Sequence, residues 1–101
     1  MSEWIRVAKT DEVEEGKGIV VEVSDKCLAV FKVEGAFHVI DNTCLHRGGP
    51  LGEGDLDGDI VTCPWHGWEY SVKTGHCVNN PSSQVRSYAT VVENEEVKVE
   101  L

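Results

Sequence analysis

Two short segments, Cys44-Leu45-His46 and Cys63-Pro64-Trp65-His66, constrain this fold more than any other feature. Each sets one soft thiolate and one imidazole one or two residues apart, so a single loop can aim both at one centre. For all four side chains to serve that centre, the intervening 16 residues must double back. They carry the means. Asp57-Gly58, with Leu56 before it and Ile60 just after, is a two-residue hairpin signal, because a tight mirror-type turn needs residues that tolerate positive φ. Residues 42–80 also hold seven of the ten glycines and two of the three prolines, and Pro81 follows at once. Short strands fit inside such a region, but its ends are loops, where functional groups sit above a rigid scaffold.

The rest of the chain reads as β-strand. Valine is abundant, and apolar residues alternate with polar ones over residues 19–23, 27–33, 85–92 and 97–101. In the last of these Val97, Val99 and Leu101 face one way and Lys98 and Glu100 the other. Glu34-Gly35 and Asn94-Glu95 supply further turns, and only residues 10–15 look even briefly helical. The pattern predicts one all-β domain over residues 1–101. Its short antiparallel strands form a sandwich or partly closed barrel, with a loop-rich subdomain at approximately 42–81.

Charge narrows the partners. With 9 basic and 18 acidic residues the chain carries a formal charge of −9, which argues against nucleic acid and anionic membrane surfaces. It permits docking onto basic faces of other proteins. No stretch approaches the roughly 20 apolar residues of a membrane helix, and the start of the chain has neither the basic region nor the apolar core of a secretory signal. The expectation is a cytoplasmic protein, whose four cysteines are metal ligands or thiols rather than disulfides.

By donor chemistry alone, two thiolates and two imidazoles suit tetrahedral zinc as well as an iron–sulfur cluster. An all-cysteine site through Cys27, Cys44, Cys63 and Cys77 is a further alternative. Cys27 reads better as a small apolar strand residue, and Cys77 as a packed thiol near the site. His38 reads as a strand residue on the solvent face and His76 as a turn residue.

The wider pattern resembles the Rieske [2Fe–2S] signature. Cys-x-His, 16 residues, then Cys-x-x-His followed by Gly67 is joined by His46-Arg47-Gly48-Gly49-Pro50-Leu51, Gly52-Glu53-Gly54, Tyr70 and Thr74-Gly75. The resemblance implies a Rieske-like fold and one [2Fe–2S] cluster, with Cys44 and Cys63 on one iron and His46 and His66 on the other. It also implies a higher potential than four thiolates allow. Two neutral imidazoles make the oxidised centre neutral rather than dianionic, so adding an electron costs less, in a range of roughly −150 to +300 mV. Relatives in respiratory complexes have a disulfide whose cysteines fall at Gly49 and Trp65 here, and a serine where this chain has Trp68; the sulfur-facing tyrosine is matched by Tyr70. Fewer donors to the cluster predict the low end of that range.

The function implied is that of a ferredoxin-type carrier rather than an enzyme, a monomer when free. It would pass single electrons from a reductase to a terminal oxygenase of the aromatic-ring dioxygenase type. The alternative is a small fixed subunit of a larger reductase, such as an assimilatory nitrite reductase. Glu53, Asp55, Asp57, Asp59 and Glu69 are candidates for an acidic rim around the exposed ligand histidines.

Overall fold

A computed structural model describes residues 4–23, 25–43, 49–65, 67–80 and 82–100. Among these residues, ten strands form three antiparallel sheets. The first has the order β1 (Trp4–Lys9), β10 (Glu96–Glu100), β9 (Thr90–Glu93). The second runs β2 (Gly18–Val23), β3 (Lys26–Val33), β4 (Ala36–Asp41), β8 (Ser87–Tyr88). The third is the small meander β5 (Asp55–Asp57), β6 (Ile60–Thr62), β7 (Glu69–Ser71). The sheets stack as open layers, so the sandwich rather than the barrel describes the molecule.

β3 sets the layering. Leu28, Ala29, Val30 and Phe31 are all fully buried. Leu28 and Val30, with Val39 of β4, pack on Val7, Val13, Val97 and Val99 of the β1–β10–β9 layer. Ala29 and Phe31, with Ile40, pack on Leu51, Val61, Tyr70 and Val72 of the opposite layer. Each large side chain so buried contributes roughly 1.5–3 kcal/mol relative to exposure. The expected alternation over 27–33 is therefore corrected: a strand covered on both faces carries a run of apolar residues, not one buried face.

The turns obey their residues. Between β3 and β4, Glu34 and Gly35 have φ of 50° and 79°, the two positive values a type I′ hairpin needs. The Glu15 carboxylate accepts both of that turn's N–H groups, from Gly35 at 2.8 Å and Glu34 at 2.6 Å. Those bonds, the one from Gly35 foremost, hold the carboxyl below its ordinary range. Asn94 and Glu95 form a second such turn, with φ of 51° and 65°.

Three local readings shift. Asp57 pairs with Ile60, so the β5–β6 turn residues are Gly58 and Asp59, one position later than the dipeptide signal suggested. Gly58 alone takes positive φ, at 63°, which is the type II′ requirement. The segment 85–92 splits at Ala89, because β8 pairs with β4 while β9 pairs with β10, and the chain changes sheet between them. Of residues 10–15 only Thr10–Glu12 coils, as one 3₁₀ turn.

Candidate metal centre

Residues 63–68 join β6 to β7 and form a closed loop. The Cys63 N–H donates to the Trp68 carbonyl at 2.7 Å, and the Gly67 N–H donates back to the Cys63 carbonyl at 3.2 Å. The Cys63 side chain is 1% exposed, and its Sγ accepts the Trp65 N–H at 3.4 Å. The β5–β6 hairpin and the pairing Thr62↔Glu69 hold this loop at one end of the small meander.

The chain flanking the first segment comes to the same place. Its root is a neck in which Thr43 bridges Pro50 and the Leu51 N–H donates to the Asn42 carbonyl at 2.7 Å. Gly49, just before the neck closes, lies against the second loop. A methyl group there would stand 2.7 Å from Cys63 Sγ and 2.9 Å from Trp65 Cγ, so only glycine fits without displacement. Gly49 and Trp65 are the positions that match the disulfide of the respiratory relatives. Here they touch without sulfur, the indole taking up the contact.

Of the four ligands expected from the sequence, Cys63 is described; Cys44, His46 and His66 lie outside the described residues. The remaining thiols sit elsewhere. Cys77 is fully buried, bridged to Tyr70 in the core shared with Cys63. Cys27 is half-buried at the start of β3 and accepts a hydrogen bond from Asn42 Nδ2 at 3.4 Å, so it is not the purely apolar residue its strand suggested. Among the described residues, no three His, Cys, Asp or Glu side chains gather as a metal site. That counts against the all-cysteine alternative, which needs Cys27, Cys63 and Cys77 together.

The outlying groups also find places. His76 is exposed but not in the turn: it follows the turn at 72–74 and bridges Gln84, its backbone N–H donating to Thr74 Oγ1 at 3.2 Å. His38 does not lie on the solvent face. It pairs with Phe31 and is partly buried; desolvation first, then the charge of Lys73, pull its imidazole below the ordinary value, with Asp59 opposing. Trp68 packs partly buried on the Cys63 core, while Trp65 is 50% exposed. On the outer side of the meander the paired row Asp55, Thr62, Glu69 runs beside the ends of the 63–68 loop, with Asp57 two rows away and Glu53 exposed just before β5. Ion pairs between described residues fall elsewhere: Arg6–Glu96 and Lys98–Glu93 on the β1–β10–β9 sheet, and Lys17–Glu14 before β2. Sequence reasoning missed Asn42. An Asn at the root of a loop reads as an ordinary turn residue, yet it is a buried polar residue at 6% exposure.

These residues fit a thiolate-bound cluster. The Cys63 sulfur is screened from water, receives a backbone N–H, and has beside it a position that admits only glycine. Buried electron-rich sulfur needs such donors to offset its lost hydration.

Comparison with known proteins agrees with this geometry. The family model for the Rieske [2Fe–2S] domain matches residues 3–89. The ferredoxin component of the naphthalene 1,2-dioxygenase/salicylate 5-hydroxylase systems of a Ralstonia species is 31% identical over 99 residues, covering 97% of this chain and 95% of that protein. Among solved structures, the Sphingomonas yanoikuyae B1 ferredoxin superposes with a TM-score of 0.90 at 29% identity, over 98% of this chain and 99% of that one. The match to a complex of reduced oxygenase and oxidised ferredoxin in carbazole 1,9a-dioxygenase has a TM-score of 0.85 at 33% identity, covering 95% of this chain and 91% of that one.

Proposed function

This chain belongs to the Rieske [2Fe–2S] domain family, and from that premise we propose that it is the ferredoxin component of a ring-hydroxylating dioxygenase system. It would carry electrons from a reductase to a terminal oxygenase. The observation that supports the reading is the buried Cys63 thiol of the second Cys/His segment, with Gly49, from the chain that follows the first segment, pressed against its sulfur. Family membership implies one [2Fe–2S] cluster. Cys44, His46, Cys63 and His66 would hold it, within a cluster-binding region at approximately 42–81 of one domain. When bound, such a cluster takes up and releases one electron.

The chain's own residues do the rest. The 63–68 loop keeps Cys63 in register through its two backbone bonds, and the Trp65 N–H offsets negative charge at the sulfur. Trp65 closes one side of the site while leaving half of its indole to solvent, at the surface a partner would meet. The Asp55 and Glu69 row beside the loop gives that surface a negative field, which steers a basic partner face toward it. No helix among the described residues is long and apolar enough to cross a membrane. The same reading has the protein work as a cytoplasmic monomer. The carrier is preferred to a fixed reductase subunit because the Ralstonia relative, 31% identical over 97% of this chain, is itself a dioxygenase ferredoxin component.

Spectroelectrochemistry of His66→Cys tests the ligand set. A third thiolate makes the oxidised centre more negative, so the potential falls or the cluster fails to assemble. An unchanged potential would refute His66 as a ligand.

A further inference from the structure

We propose that Asn42 is a positioning residue for the metal centre, acting as a latch on the loop that carries Cys44 and His46. The inference rests on the ligand reading above and goes beyond it, since Asn42 stands outside the ligand signature. Four hydrogen bonds converge on this residue. Its N–H donates to the Cys27 carbonyl at 3.0 Å, and its carbonyl accepts the Leu51 N–H at 2.7 Å. Its side-chain Oδ1 accepts the Gly52 N–H at 2.7 Å, and its Nδ2 donates to Cys27 Sγ at 3.4 Å. One carboxamide therefore ties both sides of the loop neck to β3.

The arrangement demands asparagine and glycine together. A methyl group at position 52 would stand 2.9 Å from the Ile19 carbonyl oxygen and 2.7 Å from Val20 Cγ2, so Gly52 lets the returning chain lie directly against β2. The backbone N–H thus brought into the core needs an acceptor, because a buried donor left unpaired loses its bond to water with nothing in return. Asn42 Oδ1 supplies it. In sequence, Asn42 is two residues before Cys44, and Gly49, which touches Cys63 Sγ, is three before Gly52. Looseness at the neck therefore reaches the ligands and the Gly49 contact together. Groups that orient metal ligands from behind in this way change metal affinity by about 10–100-fold when removed.

The test compares Asn42→Ala, Asn42→Asp and Val97→Ala in the reconstituted full chain. Val97 is fully buried in the opposite layer, so its truncation loosens the fold without touching the neck. Iron release to a chelator is timed for each variant at the same interval below its own melting midpoint, and EPR linewidths are recorded. Asn42→Ala is expected to release iron at least about tenfold faster than wild type and to broaden the signal. Asn42→Asp, which keeps the acceptor for Gly52 but loses the donor to Cys27 Sγ, is expected to recover only part of the retention. Val97→Ala is expected to match wild type in both. Equal release from Asn42→Ala and Val97→Ala, with loaded wild type as reference, would overturn the latch alone, as would wild-type retention of iron by Asn42→Ala. A wild-type chain that takes up no two-iron cluster would overturn the latch and the ligand reading together.

Discussion

The two faces of the β2–β3–β4–β8 sheet differ in what they ask of their residues. Toward β1 and β10, Leu28, Val30 and Val39 meet Val7, Val97 and Val99, an aliphatic contact with no polar demand. Toward the small meander, Ala29, Phe31 and Ile40 meet a core that includes Cys63, Tyr70 and Cys77, with Gly49 and Asn42 at its edge. One strand, β3, serves both. The first face needs volume and apolarity, which many residues supply. The second needs particular atoms at particular places, so conservative changes there reach the chemistry.

That contrast breaks most visibly at the sulfur. Cys63→Ala is expected to remove essentially all bound iron, read by iron and sulfide analysis and by loss of the visible absorption. Retention of the wild-type spectrum would erase the distinction between the faces. Gly49→Ala sharpens it. The added methyl must displace Cys63 Sγ or the Trp65 ring, so the potential shifts or cluster content drops, and overpacking costs about 1–3 kcal/mol. A variant with unaltered potential and stability would show that Gly49 does not press on Cys63 and Trp65 as described. Val97→Ala is the counterpart on the aliphatic face: it loses on the order of 2 kcal/mol in denaturant titration, with the cluster spectrum unchanged.

The smallest effect lies at the edge of the central sheet. Glu15→Gln is expected to lower the denaturation midpoint at neutral pH by weakening the acceptor for the β3–β4 turn. The sign follows from the lowered carboxyl value. In wild type this contribution is complete above the unfolded carboxyl's pKa and is lost as pH falls through the folded one. The difference between wild type and variant should therefore shrink toward acid. A difference that persists unchanged at low pH would assign the effect to something other than the carboxylate.

Much of this was legible in the sequence because local chemistry decides it. Glu34-Gly35 and Asn94-Glu95 bend where positive φ is needed, and a hairpin lies between the two Cys/His segments as their spacing predicts, with Gly49 brought against Cys63. What was not legible depends on coverage by distant chain. The pattern of β3 cannot say that a second layer lies over Ala29 and Phe31, and nothing around His38 signals that Lys73 and Asp59 lie close to it. The Asp57-Gly58 signal was displaced by one residue because the register is set by the pairs Asp55↔Thr62 and Leu56↔Val61, not by the turn alone. Asn42 gave no signal, since its partners Cys27 and Gly52 are 15 and 10 residues away in the chain.

The central claim is a mixed-ligand two-iron cluster, and EPR of the dithionite-reduced protein, with iron and acid-labile sulfide counted on the same sample, tests it most directly. The account predicts a rhombic signal of the His/Cys kind with about two irons and two sulfides per chain. A signal of the all-cysteine type, or a silent spectrum after anaerobic reconstitution with iron and sulfide, would contradict it.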